Sequence, residues 1–210
     1  MKYLIIKDIR FNQKYFLLGL IVSFGFTFII LDGIKYEVAS YFMVPSLLFS
    51  LMVGKMCHME DTISVYNFLK SLPCKKRNIV VSKYIESFGT IGISYLIFVM
   101  SNVILSNFTE NQYNLTSSIM LYMFSIVIIY NSLYLYLNYK FNYSTAQQTN
   151  FILIMVYIAI LGGGQYIKDN SMLYEMLNKG TTGIIAFLLS VIISIMFCAL
   201  SIKSIEKRNN

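Results

Sequence analysis

The sequence predicts an all-α polytopic membrane protein with six transmembrane helices, and three observations carry that expectation. Of 210 residues, 57% belong to the hydrophobic set and only 13% are charged, about half the charged share of a soluble domain. The mean hydropathy is +0.63. The apolar residues also fall in six long blocks. About 20 such residues in a helix cross the ~30 Å hydrocarbon core of a bilayer.

The first block runs from Tyr15 to Leu31. Basic residues precede it, as in a secretion signal, but it is longer than a signal core and no small-x-small pattern follows. It reads as a retained span. The second runs from Val38 to about Met56 and contains Pro45, whose missing N–H frees a carbonyl and predicts a kink. The third covers about Ile85 to Ser106, the fourth Thr116 to Leu137, the fifth about Thr149 to Ile167, and the sixth Thr181 to Ile202. Gly162-Gly163-Gly164, near the end of the fifth, suits close packing or a local unwinding, with packing favoured.

The net charge of +7 is a statement about topology. Fourteen of the 17 Lys and Arg fall in the N-terminal segment, the second-to-third and fourth-to-fifth connections, and the tail. The opposite side holds only Lys35, Lys168 and Lys179. Both termini are therefore expected in the cytoplasm, as an even number of spans requires. The three outer loops (Asp32 to Glu37, Asn107 to Leu115, Lys168 to Gly180) are too short for domains. The whole chain, 1–210, reads as a single transmembrane domain. No basic face interleaved with aromatics points to nucleic acid.

Two cytoplasmic segments show helical patterning. In residues 1–14, Lys7, Arg10 and Lys14 form a basic stripe at i, i+3 and i+7. Leu4, Ile5, Ile6, Ile9 and Phe11 cover much of the remainder, interrupted by Asp8 and Asn12. That predicts an interfacial helix whose Lys7, Arg10 and Lys14 reach lipid headgroups. The second segment lies in the 57–84 connection. Val65, Tyr66, Phe68, Leu69 and Leu72 fall within an arc of about 160° on a helical wheel, with Ser64, Asn67, Lys70 and Ser71 opposite. Asp61 or Thr62 can cap it and Pro73 stops it. Lys75, Lys76 and Arg77 follow and suit contact with headgroups.

Catalysis has no foothold. Apart from Lys55 and Glu86 at span ends, the six blocks contain no Asp, Glu, Lys, Arg or His, whereas ion-coupled carriers and proton relays place such groups at depth. Asn102 and Asn131 suit interhelical hydrogen bonds. The three cysteines (Cys57, Cys74, Cys198) and the single His58 make no metal-ligand spacing. GGGQYIK at Gly162 to Lys168 lacks the order of a phosphate-binding loop. The chain is expected to have no catalysis and no cofactor of its own, so any work draws energy from a partner.

The stretch EDTISVYNFLKSLPCKKRNIVVSKY, Glu60 to Tyr84, resembles the first cytoplasmic loop of small six-span permease subunits of bacterial ATP-binding-cassette exporters, the type-two permease class. Glu60, Ser71-Leu72-Pro73, Lys76-Arg77, Ile79-Val80 and Lys83-Tyr84 carry the match. The resemblance implies a coupling helix that seats in an ATPase subunit through Glu60, Asp61, Tyr66, Phe68, Leu69, Lys70, Ser71, Leu72 and Pro73. It also implies ATP and Mg bound by that partner, a second permease subunit (the same or a related chain), and a plasma-membrane location in a bacterium. In size and layout the chain is similar to subunits that export cytolytic peptides or confer bacteriocin immunity, which implies an amphipathic peptide, lipid-like or drug-like substrate. The alternative is a membrane protein that binds or senses without transporting.

Overall fold

The computed structural model describes residues 2–31, 37–60, 76–108, 117–141, 143–148 and 180–207, together with residues 152, 155 and 159. Among these the ordered elements are all helical. They are α1 (Lys2–Phe11), α2 (Gln13–Leu31), α3 (Glu37–Phe49), a π-helical turn (Ser50–Gly54), α4 (Lys55–Glu60), α5 (Lys76–Phe108), α6 (Ser117–Lys140) and α7 (Gly180–Lys207). A short helical turn covers 143–148.

Among the described residues, four stretches are long and apolar enough to cross a membrane: Tyr41–Glu60, Lys76–Ser101, Ser118–Lys140 and Gly180–Lys207. They coincide with the expected second, third, fourth and sixth blocks, and α2 coincides with the first. The fifth block and Gly162–Gly164 lie outside the described residues, save Ile152, Met155 and Ala159. The expected 57–84 connection begins and ends in helix. Residues 57–60 and 76–84 are helical, so Lys76, Arg77 and Lys83 belong to α5 rather than to a loop.

Contacts between the helices fix their directions. Gly19 of α2 lies against Leu48 and Leu51, and Lys55 sits 5.3 Å over the Tyr15 ring, so α2 and α3 run antiparallel. Tyr41 of α3 meets Phe98 of α5 edge-on at 5.1 Å. The α6–α7 pair is parallel: Gly183 faces Ser118, Ser194 meets Ser132, and Phe197 packs on Tyr136. One end of the bundle therefore gathers α1, Glu60, the start of α5 and the C-terminal ends of α6 and α7. It is the basic end.

The core has two apolar layers. Tyr41, Phe42, Phe98, Met120, Phe124 and Val127 fill the layer away from the basic end. Phe49, Val53, Tyr84, Tyr134, Leu135 and Tyr139 fill the layer nearer to it. In lipid no hydrophobic force pulls helices together, so close backbone approach and hydrogen bonds must do so. The α6–α7 seam meets that demand with small residues. Gly183, Ser190, Ser194 and Ser201 are the buried positions of α7, and Ser118, Ser125 and Ser132 are buried on α6. The Ser132 and Ser194 hydroxyls lie 2.8 Å apart.

Pro45 stays inside α3, and the irregularity of the second block falls just after it. At Ser50–Gly54 the ladder widens to i→i−5, with the Lys55 N–H donating to the Ser50 carbonyl. Such a turn loosens the bonding of nearby carbonyls. The Asn12 side chain supplies a donor there, its Nδ2 lying 3.0 Å from the Met52 carbonyl.

A buried ion cluster at the basic end

α1 sets a polar face against the bundle. Asp8 and Asn12, the two residues that break its apolar pattern, are buried against the bundle, while Tyr3, Ile6, Ile9 and Phe11 are exposed. Four residues apart, Asp8 and Asn12 share one helix face. Backbone bonds run through the junction, from Asn12 N–H to the Asp8 carbonyl (3.0 Å) and from Phe16 N–H to the Asn12 carbonyl (2.8 Å). α1 is thus joined to α2 without a loop. Its polar face turns to protein and its apolar face to the surroundings, the reverse of a helix on a soluble protein.

Asp8 faces Lys83 of α5. The Lys83 Nζ lies 2.7 Å from Asp8 Oδ2, 3.2 Å from Glu60 Oε1 and 3.7 Å from Glu86 Oε2. Lys7 adds a bond of 2.9 Å to Asp8 Oδ1. The Lys83 side chain is 1% exposed and that of Asp8 4%. A buried ammonium is tolerated only when paired and hydrogen-bonded, and here three carboxylates surround one. Burial disfavours the charged form of Asp8. The Lys83 charge and hydrogen bond, joined by Lys7, outweigh it and hold the carboxyl below its ordinary value of 3.8.

The next residue ties the other half of the bundle to the same point. The Tyr84 hydroxyl lies 3.2 Å from the Ser132 carbonyl of α6 and 2.9 Å from the Ser201 hydroxyl of α7. Adjacent residues of one helix therefore hold different neighbours: Lys83 holds α1 and α4, and Tyr84 holds α6 and α7. The short turn at 143–148 packs back to the same region, with Tyr143 4.6 Å from the His58 ring and Ala146 buried in the adjacent apolar layer.

Among the sequence-predicted site residues, Glu60 enters this cluster. Asp61, Tyr66, Phe68, Leu69, Lys70, Ser71, Leu72, Pro73 and Lys75 lie outside the described residues. Lys76 and Arg77 are exposed on the first turn of α5, as are Arg10 and Lys14 near the N-terminus. Lys7 is partly buried and engaged with Asp8. Lys83 was expected among the topological charges and is instead fully enclosed. Sequence reasoning named Lys83 and Tyr84 only within the family motif, Glu86 as a span-end charge, and Asp8 and Asn12 as breaks in the apolar pattern, and assigned none of them to a site. The available signal was an i, i+3 Lys–Glu pair at the mouth of an apolar run, with polar residues four apart on a short helix opposite.

Among the described residues no grouping of His, Cys, Asp and Glu could hold a metal ion. The three carboxylates are engaged by Lys83. A separate, apolar cavity of about 500 Å³ opens between α5, α6 and α7, lined in part by Phe88, Gly92, Tyr95, Met120, Phe124 and Phe187.

Residues 3–206 match the family described as ABC-2 family transporter protein. The chain belongs to that family. No curated protein and no solved structure matched it. As an ABC-2 family protein it is a multi-pass membrane permease component of an ABC transporter, the kind of chain that works with a separate ABC ATPase. The ion cluster of this ABC-2 permease therefore lies at the exit of the segment, 61–75, that resembles an ATPase-coupling loop.

Proposed function

We propose that this ABC-2 permease is the six-span subunit of an exporter, with both termini cytoplasmic, and that it moves an amphipathic peptide, lipid-like or drug-like molecule out of the cell. ATP and Mg are bound by a separate ATPase that grips the helix of residues 61–72. A second permease copy or relative completes the pathway. The apolar cavity beside Phe88, Tyr95 and Phe124 is of a size and chemistry that suit such a substrate.

The observation that carries this reading is the Glu60–Lys83 bond of 3.2 Å. Glu60 is the residue immediately before the segment 61–75, so displacement of that segment pulls on Lys83. Lys83 passes it to α1 through Asp8, and Tyr84 passes it to α6 and α7. A rigid, enclosed charge transmits motion because interfaces of this kind repack between discrete arrangements rather than stretch.

The test is co-purification of the cognate ATPase with the membrane subunit. Phe68→Asp or Leu69→Asp should abolish it. Glu60→Gln, which weakens the Glu60–Lys83 pair and leaves Asp8 and Glu86 on the ammonium, should keep the subunit folded but weaken the coupling of ATP hydrolysis to substrate. A chain that retains its phenotype with the ATPase gene deleted would replace this reading with that of a non-transporting binding, immunity or sensor protein.

A further inference from the structure

A second feature of the basic end is independent of the ion cluster. The C-terminal ends of α6 and α7 enclose a groove of about 400 Å³, lined by Lys140, Leu200, Lys203, Ser204 and Lys207. Three of the five lining residues carry an ammonium and none a carboxylate. Among the described residues no ion pair engages Lys140, Lys203 or Lys207. Glu206, the acidic residue of that turn, is exposed and does not line the groove. Lys140 is held in place by two rings, its Nζ 5.3 Å from the centre of Tyr136 and 5.1 Å from that of Phe141.

The floor of the groove continues into a strip of apolar surface. Leu200, Met196, Ile192 and Leu189 follow one another at steps of three and four residues, so they share one face of α7, and all four are exposed. Lys207 and Lys203 prolong the same face. From Leu200 to Leu189 the helix rises about 16 Å at ~1.5 Å per residue, close to half of the ~30 Å hydrocarbon core. Lysines in a last turn also complement the helix macrodipole. That role explains one cation per helix, but not three facing a shared groove above an apolar track of leaflet depth.

We propose that this groove binds the phosphate headgroup of an anionic phospholipid, with an acyl chain lying along Leu200, Met196, Ile192 and Leu189. The three ammonium groups surround the phosphate, and Leu200 marks the boundary between headgroup and chain. Free phosphate would use only the upper half of the site. A basic pocket between helix ends at the membrane surface is a known solution for anionic lipid.

The full chain, purified in neutral detergent, is titrated with dioleoyl phosphatidylglycerol, dioleoyl phosphatidylcholine or inorganic phosphate, and followed by native mass spectrometry and thermal unfolding. The phosphatidylglycerol is expected to bind as a discrete adduct and raise the midpoint, while the other two do not. K140Q, K203Q and K207Q should each weaken that adduct about fivefold. The triple Lys→Arg variant should keep it, as should a control triple, K35Q/K168Q/K179Q, that removes equal charge from the connections expected on the opposite side of the membrane. Lys140, Lys203 and Lys207 are exposed, so the unliganded midpoint should not move. Should the triple Lys→Gln variant unfold, the three single variants carry the reading. Equal binding of both lipids, equal loss in the control triple, unchanged binding in the Lys→Gln variants, or the same response to inorganic phosphate would each overturn the proposal.

Discussion

Lys83 and Asp8, 75 residues apart in the chain, form an ion pair of 2.7 Å with both side chains enclosed. The pair fastens the first helix to the mouth of the third apolar block. Glu60 and Glu86 complete the cage around the ammonium.

Removing the ammonium while leaving the carboxylates should be far worse than removing both. Lys83→Met is expected to destabilise the folded subunit by about 3–5 kcal/mol, the usual effect of orphaning buried charge. The double variant Lys83→Met/Asp8→Asn should lose less than the sum of the two single changes. Thermal unfolding of the purified chain in detergent measures this. Strict additivity would mean that the two groups do not interact.

The same pair sets an acid limb on stability. The Asp8 carboxyl titrates below 3.8 in the folded chain and near that value when unfolded. Its contribution is therefore complete above the ordinary carboxylate pKa, declines as pH falls through that value, and is gone below the folded pKa. Unfolding midpoints measured across the acid range should fall more steeply for the wild type than for Asp8→Asn. Parallel curves would show that Asp8 carries no such linkage.

Asn131 was expected to bond across helices. It is fully buried in α6, and among the described residues neither atom of its amide has a hydrogen-bond partner. An unpaired buried amide costs about 1–3 kcal/mol. Asn131→Leu, close in volume, should therefore raise the unfolding midpoint. A lower midpoint would mean that the amide does have a partner.

At Gly183 an added Cβ would lie 3.1 Å from the Ser118 carbonyl oxygen. That contact is with backbone, which yields less readily than a side-chain tip. Gly183→Val should cost about 1–3 kcal/mol by forcing α6 and α7 apart, with Gly183→Ala costing less. Gly89 and Gly92 of α5 have open space at the Cβ position, so Gly89→Ala is the matching control and should be neutral or slightly stabilising.

The sequence by itself determined the class and the places of the apolar helices that the structure describes. Block length and the scarcity of charge require apolar helices in a bilayer, because hydrocarbon leaves backbone groups no partner but one another. Those signals are local, and α2, α5, α6 and α7 appear where they were expected. The motif between Glu60 and Tyr84 pointed to the family that residues 3–206 match. What lay beyond the sequence was the partnership of charges. Lys83 reads as one more topological lysine, and Asp8 as a flaw in an amphipathic pattern, until the turn of α1 brings them within 2.7 Å. Helical periodicity says which residues share a face but not what that face meets. Only the packing of α1, α4 and α5 at one end decided that these charges are buried and paired, since the energy of burying a charge depends on partners supplied from elsewhere in the chain.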